Sequence, residues 1–381
     1  MRAFFSAPAV RRPYSRSLKT ACLVGITFLA ATGTPSGLRA SDDPGGVVVT
    51  AASPDLHTCG RCTGLGTAAV TFGYSGALMG LRFNGTSVTL RMDDPSGQNY
   101  VMAWLDGQPG RKFRLDAKDG IYPVADGLTA GPHMVEIVRA TECNFGPVVF
   151  RGFVLNPGGQ QLPWPQGPQR RIEFVGDSIT CGYGVEVNDP KLHFTPATEN
   201  FCLGYTGLTV RALAADYVVV ARSGIGMVRN YNGPYEGSDE TIPVIYPETF
   251  YEQANPVWDF SRFSPDVVCI NIGTNDFSTT GVDVKKFIDR YVAFGTGVLE
   301  RYGRAQLVVI QGPMNNSKEL GAALSEITRQ LSVAAAGRVH FFALGAQGSV
   351  GFGADSHPNR AQSKISAREL TADLRQLMGW N

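Results

Sequence analysis

Residues 172–180 read Ile-Glu-Phe-Val-Gly-Asp-Ser-Ile-Thr, and this stretch indicates the fold class of the second half of the chain. The run Ile172–Val175 is typical of a buried strand, and Gly176 marks its end. Asp177 and Ser178 follow at once, and both residue types are favoured at the start of a helix. A strand that leads directly into a helix is the repeating unit of α/β domains. The stretch therefore predicts such a domain, with Ser178 where the strand meets the helix.

The rest of the chain beyond residue 171 repeats this alternation. Four further apolar runs predict strands at Tyr217–Ala221, Val267–Ile272, Leu307–Gln311 and Val339–Leu344. Helical patterns are found at Leu208–Ala215, Val284–Tyr302, Leu320–Ala335 and Gln362–Leu377. Near-continuous apolar strands are typical of parallel sheets that are covered on both faces. The sequence therefore predicts a five-stranded parallel sheet between two helical layers.

The chain before this domain follows a different pattern. Apolar residues alternate with polar ones in short runs such as Ser87–Met92, and turn signals such as Asn84-Gly85 separate the runs. This period of two predicts an antiparallel β-sandwich over residues 41–156. Residues 157–170 are rich in Pro, Gly and Gln and predict a linker, so the α/β domain takes residues 171–381.

The first 40 residues predict an export signal. Basic side chains, from Arg2 to Lys19, precede the apolar run Ala21–Ala31, and a stretch of small residues ends near Ala40. The run is too short to span a bilayer comfortably, and no later stretch reaches the roughly 18 apolar residues that spanning requires. We therefore expect a secreted or periplasmic protein without a membrane anchor.

Charge and cysteine content narrow the function classes. The chain has a net charge of +1, and loss of the basic signal would leave it mildly acidic, which excludes the basic surface that nucleic acids require. In an oxidising compartment, Cys181 and Cys202 are the preferred disulfide because they flank one loop. Cys59-Gly-Arg-Cys62 has zinc or redox spacing, but no second Cys-x-x-Cys accompanies it. We therefore expect neither a metal nor another cofactor.

Four residues in the predicted α/β domain suit chemistry at a carbonyl group. Ser178, at a sharp turn, exposes its hydroxyl for nucleophilic attack and directs its N–H into a cleft. Gly224 follows the second strand and Asn275 the third, where a backbone N–H and an amide can donate to an oxyanion. His357 follows the last strand and is the candidate base. Because ligands bind at the carboxyl ends of parallel strands, we expect these residues to meet there, although each alone is also typical of a cap or turn.

The base and its partner leave alternatives open. His193, in a polar loop after the serine, is the competing base. Asp355 lies two residues before His357 and is the candidate third catalytic residue. A carboxylate would orient the imidazole and stabilise its charged form, whereas a backbone carbonyl would only orient it. In the second case Asp355 would cap or brace the loop.

A long segment between Gly226 and Val267 is the candidate substrate-binding wall. It is rich in Tyr, Pro, Asn and acidic residues and is longer than a strand connection needs. Since aromatic faces stack on sugar rings, Trp258 and Tyr231 are candidate substrate contacts, as is Asp276 beside the proposed oxyanion donor. The alternative for any one of the aromatic residues is a packed surface loop.

At this point the sequence resembles a known family. The blocks Gly176–Ile179, Gly224, Gly273–Asp276 and His357-Pro358 match, in order, the four blocks of the SGNH or GDSL-type hydrolases. The resemblance implies a flavodoxin-like three-layer domain with Ser178 as nucleophile and His357 as base. It implies an oxyanion hole made by the Ser178 N–H, the Gly224 N–H and the Asn275 side chain. Most members carry the orienting aspartate three residues before the histidine.

A narrower resemblance covers nearly the whole chain after the signal. The blocks that are similar to family-2 carbohydrate esterases are Gly60-Arg61, Gly131–His133, Gly176–Gly184, Ser223–Asn230, Trp258–Phe260 and Ala354–Asn359. This resemblance implies a jelly-roll sandwich before the hydrolase domain, no metal requirement, and removal of acetyl groups from xylan or glucomannan. In some members an aspartate completes a triad, and in others a backbone carbonyl orients the histidine.

The expected partner is accordingly an acetylated polysaccharide or oligosaccharide, and we expect the protein to act as a monomer. Two alternatives remain. The same machinery could cleave lipid esters or thioesters, because fold and triad do not fix the substrate. The chain could also be a non-catalytic carbohydrate-binding protein, which the intact serine, asparagine and histidine disfavour.

Overall fold

The structure is a computed structural model that describes residues 45–116, 120–167, 169–251, 253–279 and 281–381. The predicted export signal, residues 1–40, lies outside the described residues. Of the helices in these ranges, none combines the length and the apolar content that crossing a membrane requires.

The first part of the described chain is a β-sandwich of two six-stranded sheets. In chain order its strands are β1 (Val47–Thr50), β2 (His57–Cys59), β3 (Cys62–Thr63), β4 (Val70–Phe72), β5 (Leu78–Asn84), β6 (Val88–Asp93), β7 (Tyr100–Leu105), β8 (Gln108–Arg114), β9 (Ile121–Ala125), β10 (Pro132–Arg139), β11 (Val148–Leu155) and β12 (Gln160–Leu162).

The two sheets are antiparallel and enclose one apolar core. One sheet has the order β3-β4-β11-β6-β9 with β1 also on β11, and the other has the order β12-β5-β10-β7-β8 with β2 also on β5. Strand β6 shows why the period of two indicated strands, since Val88, Leu90 and Met92 point into the core between half-buried neighbours. Strand β12 lies within residues 157–170, so part of the predicted linker pairs with the sandwich.

The second part alternates strands and helices. Its strands are β13 (Arg171–Gly176), β14 (Asp216–Ala221), β15 (Glu248–Phe250), β16 (Gln253–Val257), β17 (Val267–Asn271), β18 (Gln306–Gln311) and β19 (Val339–Ala343). Its α-helices are α1 (Ser178–Cys181), α2 (Tyr205–Leu213), α3 (Ile242–Ile245), α4 (Val284–Arg301), α5 (Lys318–Ala334) and α6 (Arg360–Met378).

The five predicted strands form one parallel sheet in the order β14-β13-β17-β18-β19. Helices α2 and α6 pack against one face, and α4 and α5 pack against the other. The chain goes from β13 to β14 on one side and then returns to β17 on the other side. The loops after these strands therefore diverge at β13, and such a switch point is where ligands bind. The predicted three-layer fold and its preceding sandwich are confirmed.

The sandwich and the α/β part share a continuous apolar core. Leu78, Met102 and Trp104 of the sandwich belong to the same buried cluster as Phe174 of β13 and Tyr205 of α2. The sandwich therefore covers apolar surface of the α/β part, and the two parts pack as one body.

Polar contacts also join the two parts. The fully buried Arg61 of the sandwich bonds Glu173 of β13 at 3.0 Å. The Tyr217 hydroxyl of β14 donates to the Gly76 carbonyl at 2.7 Å. Each contact joins a sandwich residue to a strand of the parallel sheet. Together the contacts fix the position of the sandwich relative to that sheet.

The predicted Cys181–Cys202 disulfide is wrong. All six cysteines in the described ranges are free and buried. The Cys181 thiol lies 3.9 Å from a Glu142 carboxylate oxygen, and Cys202 packs in the core that both parts share. Cys181 belongs to the same core, so the loop that the two cysteines flank brings both into one apolar cluster without a bond between their sulfur atoms.

Candidate active site

Ser178 lies at the turn between β13 and α1. The Asp177 carboxylate accepts the Ile179 N–H at 3.0 Å and so caps the helix. Only glycine fits at Gly176, because a Cβ there would lie 2.0 Å from the Thr180 hydroxyl oxygen. The turn is therefore sharp, and it presents the serine hydroxyl at the carboxyl end of β13.

His357 contacts Ser178 although the two residues are 179 positions apart in the sequence. Its Nε2 lies 2.9 Å from the serine Oγ. The histidine leaves a short turn at Ala354–Ser356, and Asn359 then caps α6 by accepting the Gln362 N–H at 2.9 Å. The structure thus brings the predicted nucleophile and base into hydrogen-bonding contact.

Backbone carbonyls hold the other ring nitrogen of His357. Its Nδ1 lies 3.2 Å from the Ala354 oxygen and 3.3 Å from the Asp355 oxygen. Asp355 and Ser356 adopt left-handed φ values of 47° and 62°, which are uncommon for residues with a Cβ. This curled backbone directs two carbonyl groups at the imidazole, and they favour the tautomer with its proton on Nδ1.

The same surroundings determine the protonation of His357. Burial lowers its pKa to about 4, although the two carbonyl groups and the Asp355 charge act in the opposite direction. The imidazole is therefore neutral near pH 7. With Nδ1 protonated, Nε2 is free to accept the serine proton.

The Asp355 carboxylate faces away from the imidazole. Its Oδ1 accepts from His193 Nδ1 at 2.8 Å, and its Oδ2 accepts from the Tyr183 hydroxyl and the Phe194 N–H at 2.9 Å each. Burial tends to raise its pKa, but these hydrogen bonds hold the pKa below its usual range. The candidate triad acid thus braces a neighbouring loop, and the competing base, His193, lies on that brace with its side chain 91% exposed.

An aromatic stack supports His357 from behind. The centroid of the Tyr183 ring lies 4.1 Å from the centroid of the imidazole and 4.1 Å from that of the Phe194 ring. Phe145 of the sandwich continues the stack at 6.2 Å from Phe194. Tyr183 lies in the block Gly176–Gly184 that resembles family-2 carbohydrate esterases, but the sequence alone assigned it no role.

The candidate oxyanion donors converge on the switch point. The Asn275 amide, which is 6% exposed, donates to the Ile225 carbonyl at 2.8 Å and lies 3.4 Å from the Asp177 carboxylate. Gly224 precedes Ile225, has a φ of 78°, and leaves open space where a side chain would lie. Within the described residues, neither its N–H nor that of Ser178 has a hydrogen-bond acceptor. The loops after β13 and β14 therefore meet with two backbone N–H donors available, while the Asn275 amide of the loop after β17 holds the Ile225 carbonyl beside them.

Asp276 lies beneath this site rather than on its surface. The fully buried carboxylate accepts the N–H groups of Met227, Val228 and Arg229 at 2.8–2.9 Å. Burial raises its pKa despite these hydrogen bonds. The structure therefore places this predicted substrate contact in the support of the loop that carries Gly224.

The sandwich supplies a buried carboxylate to the same loop. Glu142, just before a short turn at Cys143–Phe145, accepts the Ser223 N–H at 2.7 Å. Its own N–H donates to Glu199 at 2.9 Å, and burial raises the pKa of both carboxyl groups. No local pattern indicated Glu142, because its partner lies 81 residues further along the chain.

The two aromatic candidates for substrate contact lie in different places. Tyr231 is 56% exposed, and its N–H donates to the Gly224 carbonyl at 2.8 Å. Trp258 is only 4% exposed and lies between the guanidinium groups of Arg61 and Arg262. It lines a small cavity with Asp216, at the opposite edge of the sheet from Ser178. The structure thus places Tyr231 beside Gly224, and Trp258 at the other edge of the sheet.

Two clusters in the described ranges have the ligand spacing of a metal site. One is His57, Cys59 and Asp216, and the other is Glu142, Cys181 and Glu199. Neither cluster includes Ser178 or His357.

Both parts of the chain match known protein families. Residues 58–165 match the carbohydrate esterase 2 N-terminal model, and residues 174–365 match the GDSL-like lipase/acylhydrolase family model. The chain is 31% identical to an acetylxylan esterase/glucomannan deacetylase of Cellvibrio japonicus over 94% of this chain and 98% of that protein.

The chain also matches a protein of Acetivibrio thermocellus and a solved structure from Clostridium thermocellum. The chain is 35% identical over 81% of its length to the cellulase/esterase CelE of Acetivibrio thermocellus, but it spans only 38% of that protein. A solved family two carbohydrate esterase from Clostridium thermocellum, in complex with cellohexaose, shares 33% identity and a TM-score of 0.81, with 86% of this chain and 100% of that chain covered. This chain, with its GDSL-like hydrolase domain, therefore belongs to the family-2 carbohydrate esterases.

Proposed function

We propose that the protein hydrolyses acetyl esters on sugar hydroxyl groups of a polysaccharide, with Ser178 as nucleophile and His357 as base. The observation that carries the proposal is the 2.9 Å contact between His357 Nε2 and Ser178 Oγ at the switch point of the sheet. Two relatives from Cellvibrio japonicus, both acetylxylan esterase/glucomannan deacetylases, support the substrate class.

In the first step Ser178 Oγ attacks the acetyl carbonyl carbon while His357 Nε2 takes the hydroxyl proton. The tetrahedral intermediate carries its negative charge on the former carbonyl oxygen. It collapses when the bond to the sugar oxygen breaks and His357 returns the proton to that oxygen. The products are a free sugar hydroxyl and an acetyl group on the serine.

In the second step water replaces the sugar. His357 takes a proton from the water as its oxygen attacks the acyl carbon, and the proton then goes to Ser178 Oγ as acetate leaves. Both tetrahedral intermediates carry the same oxyanion, so the N–H groups of Ser178 and Gly224 and the Asn275 amide stabilise both.

The base works as a dyad in this proposal. The carbonyl groups of Ala354 and Asp355 hold the Nδ1 proton, so Nε2 points at the serine. Tyr183 fixes the plane of the ring from one face. The Asp355 carboxylate contributes through the loop that it braces and, weakly, through its charge.

Tyr231 is the proposed sugar contact. It is exposed beside Gly224, and the aromatic face of a tyrosine suits the apolar face of a pyranose ring. Binding of the sugar there would place the ester near the nucleophile. The finer assignments of the sequence stay proposals as well: an export signal over residues 1–40, a sandwich over 41–156, a linker over 157–170, a hydrolase domain over 171–381, a secreted or periplasmic location, and a monomer.

The test is acetate release from acetylated xylan and acetylated glucomannan, alongside 4-nitrophenyl acetate and a long-chain 4-nitrophenyl ester. We expect release from the polysaccharides and a preference for the acetyl ester over the long-chain ester. Ser178→Ala should abolish all of these reactions. Release of acetate that survives Ser178→Ala, or preference for the long chain, would contradict the proposal.

A further inference from the structure

A second group of chemically active side chains lies at the amino-terminal edge of the parallel sheet. His57 and Cys59 come from β2 of the sandwich, and Asp216 is the first residue of β14. Strand β14 runs from Asp216 towards Gly224, so this group and Ser178 lie at opposite edges of the sheet. The esterase reaction makes no use of it.

The distances between the three ligand atoms are those of a zinc site. His57 Nε2 lies 3.2 Å from Asp216 Oδ1, and Cys59 Sγ lies 3.5 Å from Nε2 and 3.7 Å from Oδ1. Tetrahedral zinc with ordinary bond lengths separates a nitrogen and an oxygen ligand by about 3.3 Å, and separates sulfur from either by about 3.6 Å. The three atoms therefore already form one face of a zinc tetrahedron.

We propose that His57, Cys59 and Asp216 bind a zinc ion that links the sandwich to the hydrolase domain. Imidazole, thiolate and carboxylate are the ligand types that zinc takes in proteins. The thiolate and the carboxylate together balance the charge of the ion. Because zinc binds the thiolate, the Cys59 proton is released to solvent when the ion enters.

The protein holds His57 in a defined orientation. The Trp164 indole stacks on the imidazole with a centroid separation of 4.7 Å and an interplanar angle of 8°. Gly80, which pairs with His57, makes room for the indole, because a Cβ at Gly80 would lie 2.7 Å from its ring. A ligand held in this way loses little freedom when a metal binds.

The other two ligands are held by a contact between the domains. The Gly60 N–H, next to Cys59, donates to the Tyr217 carbonyl, next to Asp216, at 3.1 Å. Cys59 is buried, whereas the Asp216 side chain is 47% exposed, and all three ligands line a cavity of about 560 Å³. The fourth coordination position therefore faces the cavity and is open to water or a small anion.

Zinc at this place would stabilise the folded chain, because its ligands come from both domains and unfolding separates them. Titration with Co²⁺ and with Zn²⁺, under a phosphine reductant, tests the site. We expect one equivalent of Co²⁺ to produce thiolate-to-cobalt charge-transfer absorption, Zn²⁺ to displace the cobalt, and Zn²⁺ to raise the Tm. Absence of that absorption in the native protein would overturn the proposal.

Variants assign the signal to these ligands. Cys59→Ser should lose the absorption and the Tm shift, while Cys62→Ser, the matched change at a neighbouring buried cysteine, should keep both. Absorption that persists in Cys59→Ser, or that is lost in Cys62→Ser instead, would contradict the proposal.

A second variant keeps the thiol in case Cys59→Ser fails to fold. Asp216→Asn should retain the thiolate signal but weaken Co²⁺ binding at least as much as loss of an outer-shell partner does, about 10–100-fold. Unchanged affinity in Asp216→Asn would remove Asp216 from the site. Because the readout is spectroscopic, failure of the esterase proposal would not affect this result.

Discussion

The two edges of the parallel sheet each present a histidine beside a potential nucleophile, and the partners of the two rings differ. At the carboxyl edge, Nε2 of His357 faces the Ser178 hydroxyl while backbone carbonyls hold its Nδ1. At the amino edge, Nε2 of His57 faces the Asp216 carboxylate and the Cys59 thiol. The first arrangement leaves a neutral ring nitrogen that can accept a proton from a hydroxyl. The second places three potential metal-ligand atoms close to one another.

The comparison shows that the atoms around an imidazole determine its chemistry. A ring that is held by neutral carbonyls and partly desolvated stays neutral and acts as a base. A ring beside a carboxylate and a thiol forms part of a ligand set that a divalent cation can complete. Substitutions at one edge should therefore leave the function of the other edge intact.

The largest expected effect is the difference in esterase activity between the alanine variants of the two histidines. His357→Ala should lower kcat/KM for 4-nitrophenyl acetate by at least about 10⁴-fold, since removal of the base disables the nucleophile. His57→Ala, the same change at the other edge, should keep the activity within a few-fold and lose cobalt binding. Steady-state kinetics of the two variants measure the difference. A loss of activity in His57→Ala equal to that in His357→Ala would contradict the separation of the two sites.

Asn275→Ala should have the next largest effect. Loss of one oxyanion donor lowers kcat by roughly 10²–10³-fold, with little change in KM, because the donor acts on the transition state. Asn316→Ala is the matched control, since the Asn316 amide also donates to a backbone carbonyl, at 3.1 Å, but follows β18. A fall in kcat below tenfold for Asn275→Ala, or an equal fall for Asn316→Ala, would remove Asn275 from the oxyanion hole.

Asp355→Asn should have a smaller effect, about tenfold or less in kcat/KM. Asparagine tolerates the left-handed backbone at this position, so the carbonyl groups that hold His357 stay in place. A loss near the roughly 10⁴-fold that follows the same change in a serine-protease triad would contradict a backbone-oriented histidine.

The acidic limb of the pH profile gives the smallest effect. Burial lowers the pKa of His357 to about 4, and the base must be neutral, so kcat/KM should fall as the pH drops through about 4. The Asp355 charge favours the protonated ring, so Asp355→Asn should move this limb slightly to lower pH. A limb near the ordinary histidine pKa, or a shift to higher pH in the variant, would contradict the burial of His357.

Much of this architecture was predictable from local sequence. The five apolar runs and the four long helical patterns correspond to β13, β14, β17, β18, β19 and to α2, α4, α5 and α6. Order along the chain also brought Ser178 and His357 to the same edge, because each follows a strand of one parallel sheet. Such features depend on short-range periodicity, which a single sequence records.

What the sequence did not determine depends on contacts between distant residues. The spacing of Asp355 and His357 allowed either a carboxylate or a carbonyl at Nδ1, and the left-handed turn at Asp355 and Ser356 decides between them. Trp258 lay in an aromatic-rich loop, but Arg61 of the sandwich holds it at the other edge. Glu142 was missed for the same reason, since only the folded chain brings it to Ser223.

Covalent trapping of the nucleophile shows whether His357 activates Ser178. The protein would be treated with a fluorophosphonate ester, and its intact mass and proteolytic peptides measured over time. We expect one adduct per chain on Ser178, none in Ser178→Ala, and a rate in His357→Ala that is lower by orders of magnitude. An adduct on any other residue, or equal labelling rates in the native protein and His357→Ala, would contradict the account.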